Sequence, residues 1–127
     1  MSDVTGDGRR ILIVEDDSTV AELLVEVLRH EGFTSTVAAD GLEGLVRLRG
    51  DQPDLAVLDI MMPDINGVRV LEQLLEEGDG ALEVPIIVIT GSPEGAKQSR
   101  RLLGDDNVFE KPFDPDDLVA RIRALLG

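Results

Sequence analysis

The sequence contains no cysteine, tryptophan or tyrosine, and only 3 phenylalanines. Without cysteine there is no disulfide framework, no thiol nucleophile and no zinc–thiolate site, a pattern that fits a reducing compartment. Aromatics make up 2% of the chain and apolar residues 43%, so the core is aliphatic, built from Leu, Val, Ile and Ala. Long hydrophobic runs are missing too: stretches such as Ile11-Leu12-Ile13-Val14 fall far short of the roughly 20 residues that cross a bilayer. Met1 to Arg10 holds polar and glycine residues without an apolar stretch and does not read as a signal peptide. Positive charge is scarce as well. The 12 Lys and Arg face 26 Asp and Glu, and a net charge of -14 repels a phosphate backbone, which argues against direct nucleic-acid binding by this chain. The expectation is a soluble cytoplasmic protein of one domain, residues 10–127, behind a flexible tail, residues 1–9.

What is present alternates. Ile11 to Val14 is a short apolar run that stops at Glu15-Asp16-Asp17, as a strand buried on both faces does. Val20, Leu23, Leu24, Val27 and Leu28 then recur at helical steps up to His30, with Thr19 and Glu22 as a capping box and Gly32 as the stop. Thr34 to Ala38 reads as a weaker strand, and Asp40 with Glu43 opens a helix carrying Leu42, Leu45 and Val46. Leu55 to Leu58 is a third strand ending on Asp59; Asn66 caps a helix whose buried face is Val68, Leu71, Leu74 and Leu75. Pro85 to Ile89 is a fourth strand ending on Thr90, followed by a helix from Glu94 to Leu103 for which Ser92 is a candidate cap. A brief strand at Val108-Phe109 precedes a last helix with Asp114 at its N-cap and Pro115 at its first position. Strands alternating with helices predict a parallel sheet covered on both faces, because parallel strands need right-handed helical crossovers.

In such open sheets ligands bind at the carboxyl ends of the strands, where the strand order reverses. Glu15 and Asp16 end the first strand, Asp59 the third and Thr90 the fourth, and Lys111 follows the fifth. If the first and third strands are neighbours across the reversal, three carboxylates crowd one crevice. Such a cluster is costly unless a cation shares it. Magnesium suits it best, being commonly held by one or two carboxylates, several waters and a phosphate. A carboxylate is also a nucleophile toward phosphorus once charge on the transferring oxygens is neutralised, and Lys111 and Thr90 supply an ammonium and a hydroxyl for that. Taken singly, these residues have ordinary readings: a strand end for Asp59, a helix cap for Asp17, a solvated lysine for Lys111, packing for the side chains of Met61 and Met62. His30 reads as an exposed residue near a helix end. Lys97, Arg100 and Arg101 share a helix face that either docks an acidic partner or is merely solvated.

From Arg10 to Leu126 the chain resembles the receiver domains of two-component response regulators, on Ile11-Leu12-Ile13-Val14-Glu15-Asp16-Asp17, on Asp59 through Gly67, on Thr90-Gly91 and on Lys111-Pro112-Phe113. The resemblance implies a flavodoxin-like (βα)5 fold with strand order 2-1-3-4-5. It implies Asp59 as phosphoacceptor and a magnesium ion held by Glu15, Asp16, Asp59 and the backbone carbonyl of Met61. Thr90 becomes the switch hydroxyl, Gly91 the small residue whose amide meets a phosphoryl oxygen, and Lys111 the phosphate-contacting lysine, with a Lys111-Pro112 bond that is often cis in the family. The implied partners are a histidine kinase or phosphotransfer protein, an unidentified downstream effector, and a second copy paired through the surface of the fourth helix, fifth strand and fifth helix. One position departs from the pattern. Val108 stands where family members often carry a Tyr or Phe that turns inward, and Phe109 should face the other side of its strand, so the response is expected to be smaller or carried by the loop from Thr90 to Gly95.

Two other functions compete. A pseudo-receiver would keep the fold and bind partners without phosphorylation; the presence of Glu15, Asp16, Asp59, Thr90 and Lys111 together speaks against it. A magnesium-dependent phosphatase with an aspartyl nucleophile typically places a second Asp two residues on, where this chain has Met61.

Overall fold

The computed structural model describes residues 8–127. Five parallel strands form one sheet: β1 (Arg10–Val14), β2 (Thr34–Ala38), β3 (Leu55–Asp59), β6 (Ile86–Thr90) and β7 (Val108–Glu110), in the order β2-β1-β3-β6-β7. That is the expected 2-1-3-4-5 order. The labels β4 (Met61–Met62) and β5 (Ile65–Asn66) belong to a small antiparallel hairpin that the sequence reading did not anticipate. Five helices cover the sheet: α1 (Ser18–His30), α2 (Gly41–Gly50), α3 (Gly67–Glu77), α4 (Pro93–Leu103) and α5 (Pro115–Leu126). A single 3-10 turn, Asp105–Asn107, precedes β7.

The aliphatic runs account for this arrangement. Ile11, Ile13, Leu55, Val57, Ile87 and Ile89 face one side and pack with Leu24, Leu28, Leu118 and Ile122. Leu12, Val14, Ala56, Leu58, Ile86 and Val88 face the other and pack with Leu71 and Ala96. Each such side chain fully removed from water contributes about 1.5–3 kcal/mol, so a strand with both faces apolar is stable only in the middle of a three-layer sandwich. β2 is the weaker strand expected, with Thr34 and Thr36 exposed at the sheet edge.

Local signals end the helices where anticipated, with one exception at α1. Asp40, Asn66, Ser92 and Asp114 are the N-caps of α2, α3, α4 and α5, each accepting from an amide of the first turn. Gly32, at φ 89°, closes α1 in a Schellman motif: its amide reaches Arg29 O and that of Phe33 reaches Leu28 O at 3.0 Å. The exception is the capping box of Thr19 and Glu22. α1 begins two residues earlier, and Asp17 caps it by accepting from the amides of Thr19 and Val20; a carboxylate there also meets the positive end of the helix dipole, which a Thr hydroxyl does not. Of the α1 apolar set, Leu23 is largely exposed.

α2 departs furthest from the sequence reading. Leu42 and Val46 are 60% and 71% exposed, and the face against the rest of the molecule is made by Gly41 and Gly44 with half-buried Leu45 and Leu48. The helix lies so close that a Cβ at Gly44 would sit 2.6 Å from Val14 Cγ1, and one at Gly41 would sit 2.2 Å from Ile65 Cγ1. Small residues buy this approach, and the larger apolar ones are displaced to the outside.

A similar closeness holds α3 under β3. A Cβ on Gly67 would lie 2.6 Å from the backbone Cα of Ile60, which no rotamer change relieves. At Gly91 no atom lies within 4 Å of that position. Gly67→Ala is therefore expected to lose about 1–3 kcal/mol or more in denaturant unfolding, while Gly91→Ala is neutral or gains up to about 1 kcal/mol by restricting the unfolded chain. Equal effects of the two substitutions would contradict this packing.

Candidate functional site

The carboxyl edge of the sheet collects the acids because two neighbouring strands, β1 and β3, end there side by side. β1 pairs with β3 so that Val14 lies opposite Leu58, which brings Glu15 beside Asp59. Ligand oxygens of Glu15, Asp16 and Asp59 all lie within 4.8 Å of one another. Glu15 and Asp59 are buried, at 1% and 3% exposure, while Asp16 is open to solvent.

Lys111 reaches in from beyond β7. The ladder between β6 and β7 continues past Thr90 and Glu110, and the Lys111 amide donates to Thr90 O at 2.8 Å, which sets the direction of its side chain. The ammonium donates to Glu15 Oε1 at 2.8 Å and to Asp59 Oδ2 at 3.2 Å. The Lys111-Pro112 peptide that follows is cis. The remaining oxygens also have partners: Glu15 Oε2 accepts from the Asp17 amide at 3.1 Å, and Asp59 Oδ1 from the Met61 amide at 2.9 Å.

One ammonium does not balance three carboxylates, and two of those carboxylates are also buried. Burial, followed by the hydrogen bond with Asp59, pushes the Glu15 carboxyl up to about 7 against the opposing pull of Lys111 and the Asp17 amide. Burial works to lower the Lys111 ammonium, but the Glu15 hydrogen bond and the Asp59 charge outweigh it and hold it above its ordinary value.

The donor set fits a hard divalent cation. It offers only oxygens, each carboxylate oxygen keeps acceptor capacity beyond its present bond, and exposed Asp16 leaves one side open for waters, as magnesium requires. Thr90 stands on the strand next to Asp59, one residue past the Asp59–Ile89 pair; it is fully buried, and its hydroxyl accepts from the Ser92 amide at 3.0 Å. Gly91 is exposed beside it. Of the two methionines expected to be packing, Met62 is buried but Met61 is 57% exposed at the lip of the crevice, because in the hairpin successive side chains point to opposite sides. His30 is exposed at the end of α1, within 3.2 Å of Glu26 and remote in sequence from these strand ends.

Asp64 was missed as a participant. It accepts from the amides of Gly41 at 3.0 Å and Leu42 at 3.0 Å, fastening the loop that follows Asp59 to the N-terminus of α2. Those two bonds, the Gly41 one first, hold its carboxyl below its ordinary value. An acid in a Pro-Asp turn carries no sequence signal that separates this role from solvation.

Comparison with known proteins agrees with this geometry. The family model described as the response regulator receiver domain matches residues 11–123. The DNA-binding response regulator MtrA of Mycobacterium tuberculosis is 41% identical over 119 residues, covering 93% of this chain and 50% of the relative. The response regulator MprA of Mycobacterium ulcerans is 42% identical over 118 residues, covering 92% and 50%. The chain thus spans about half the length of these curated relatives. Among solved structures, a putative response regulator from Chloroflexus aurantiacus superposes with a TM-score of 0.80 at 32% identity, covering 93% of this chain and 97% of that one. The CheY-like receiver domain protein from Methanospirillum hungatei gives 0.78 at 33% identity, with 93% of each chain covered. This chain belongs to the family of response regulator receiver domains of two-component systems.

Proposed function

We propose that residues 10–127 form a phosphorylation switch in which Asp59 accepts a phosphoryl group from a phosphohistidine on a histidine kinase or phosphotransfer protein. The observation that carries this reading is the buried Asp59 carboxylate, held beside Glu15 by a single ammonium that bridges them at 3.2 and 2.8 Å. In the transfer a bond forms between an Asp59 carboxylate oxygen and phosphorus. The bond from phosphorus to the imidazole nitrogen breaks, and the electron pair leaves with the imidazole. Lys111 turns from its carboxylate partners to the incoming phosphoryl oxygens, the Gly91 amide and Thr90 hydroxyl donate to them, and Glu15 stays positioned by the Asp17 amide.

Glu15, Asp16, Asp59 and the Met61 carbonyl would hold a magnesium ion, which would supply the charge neutralisation that Lys111 alone cannot. The chain acts on itself only, assisting its own phosphorylation and dephosphorylation, and is not a turnover enzyme. The output is a changed surface of α4, β7 and α5, offered to a downstream effector or to a second copy of the chain. The phosphorylation-independent pseudo-receiver finds no particular support, since every group the transfer needs is present.

Incubation with magnesium and acetyl phosphate is expected to add one phosphoryl group to the intact mass. Asp59→Asn abolishes it and chelation of magnesium suppresses it; an adduct that survives Asp59→Asn would disprove the assignment of the acceptor.

The pH dependence follows from Glu15, whose carboxyl is raised from 4.5 to about 7 on folding. Between those values the folded chain binds a proton that the unfolded chain does not, so this group favours the fold at low pH and that contribution is lost as pH rises through about 7. Magnesium competes with the same proton. Its apparent affinity is therefore expected to be about tenfold weaker at pH 6 than on a plateau above pH 8. Calorimetric titration checks this, and an affinity flat from pH 6 to 8 would show that Glu15 is ionised throughout.

A further inference from the structure

The segment after Asp59 carries Met61, whose backbone carbonyl completes the proposed ligand set, and little of that segment holds itself in place. Its two strands pair only Met61 with Asn66 and Met62 with Ile65, and a two-stranded hairpin of that length is not stable by itself. The Met61 side chain is largely exposed and anchors little. The hairpin is therefore located by what ties it to the rest of the molecule.

Two of the ties are at its ends: the Met61 amide donates to Asp59 Oδ1 at 2.9 Å, and Gly67 lies against the backbone of Ile60. The third is at the turn. Both oxygens of Asp64 are engaged, Oδ1 by the Gly41 amide and Oδ2 by the Leu42 amide, each at 3.0 Å, and Ile65 fills the space that a side chain at Gly41 would need. α2 has its own N-cap in Asp40, which takes the Glu43 amide at 2.8 Å. The two amides held by Asp64 are of the kind that water satisfies at an ordinary helix end, so the helix depends on Asp64 less than the hairpin does. The bonds are strong ones, because a carboxylate on helix amides is a charge-assisted acceptor.

α2 is a fixed reference for such a tie. Its Gly44 lies so close to β1 that a Cβ would sit 2.6 Å from Val14, the residue before Glu15. Asp64 thus refers the position of Met61 to the strand end that carries Glu15 and Asp16, in a circuit that runs from Val14 through α2 and the hairpin and returns to Asp59 by the Met61 amide.

We propose that Asp64 is a positioning residue for the metal site: by fastening the β4–β5 hairpin to the first turn of α2, it fixes the Met61 carbonyl relative to Glu15, Asp16 and Asp59 and so sets the affinity for magnesium. This inference rests on the ligand assignment made above and adds a residue that lies outside the ligand set. Removing a group that orients metal ligands typically lowers affinity about ten- to a hundredfold. Magnesium demands near-ideal octahedral geometry and is affected more than calcium, which accepts irregular ligation.

The test is calorimetric titration of magnesium and of calcium into the full chain at about pH 8, where Glu15 is ionised, with each variant first shown to be folded by circular dichroism. Asp64→Ala is expected to weaken magnesium binding about tenfold and calcium binding less than about threefold. Asp64→Asn keeps one acceptor oxygen and falls between Asp64→Ala and the wild type. Asp40→Ala removes a cap from the same helix end without touching the hairpin, so it lowers stability and leaves magnesium affinity unchanged. In the metal-free chain, exchange of the Met61 amide rises about tenfold in Asp64→Ala and not in Asp40→Ala. Magnesium affinity in Asp64→Ala equal to that of the wild type, or an equal loss in Asp40→Ala, would overturn the positioning role and leave the receiver reading standing. A folded wild type that takes up no magnesium would remove the ligand assignment and this inference together.

Discussion

The constraint on which the rest of the molecule depends is charge at the carboxyl edge of a buried parallel sheet. Three carboxylates meet there with one ammonium, and two of the acids are almost completely buried. A buried acid beside another acid is stable only if it keeps a proton, meets a cation or is replaced by something neutral. Glu15, pushed up to about 7, is poised between the first two of these. The fold fixes the crowding without any choice by the acids, since neighbouring strands in parallel register must end side by side. The doubly wound topology then leaves the crevice uncovered by helices. What would be a defect in an ordinary core is here an open valence for positive charge, and the excess of two negative charges over Lys111 matches a divalent ion.

Much of this was legible in the sequence, for a physical reason. A strand buried on both faces must be continuously apolar, so its end is marked by the first polar residue, and in this chain those residues line the candidate site: Glu15, Asp59 and Thr90. Caps were legible because short oxygen-bearing side chains before a helical period have few other uses. The mistakes share a cause as well. Periodicity counts apolar residues, but α2 makes its contact through Gly41 and Gly44, which carry no apolar signal, while Leu42 and Val46, the apolar residues by which the helix was recognised, are exposed. The β4–β5 hairpin spans two residues on each side, too few for alternation to register. Asp17 and Thr19 were both plausible caps, and only the backbone decides which one faces the free amides.

The loop after Asp59 is bound more tightly than its irregular course suggests. Asp64 joins it to α2, the Met61 amide joins it to Asp59 itself, and Gly67 seats α3 against Ile60. On that side of the site, movement would have to break several bonds to backbone amides at once. On the other side, the segment from Thr90 to Gly95 is held by single hydrogen bonds in series, and the helix it leads into buries little.

That asymmetry decides which part of the structure can answer a change at Asp59. The sheet cannot: Ile11, Ile13, Val57, Ile87 and Ile89 interlock at near-zero exposure, and close-packed interiors shift between discrete arrangements and do not deform gradually. Helices α1 and α5 close over that same cluster with large aliphatic side chains, and displacing either would open cavities at a cost of several kcal/mol. α4 buries glycine, alanine and serine, so its N-terminal half can separate from the sheet without leaving a large void behind. The small residues of α4 give it a looser contact with the sheet than α1 and α5 have, and its low apolar content follows directly from the sequence of the helix.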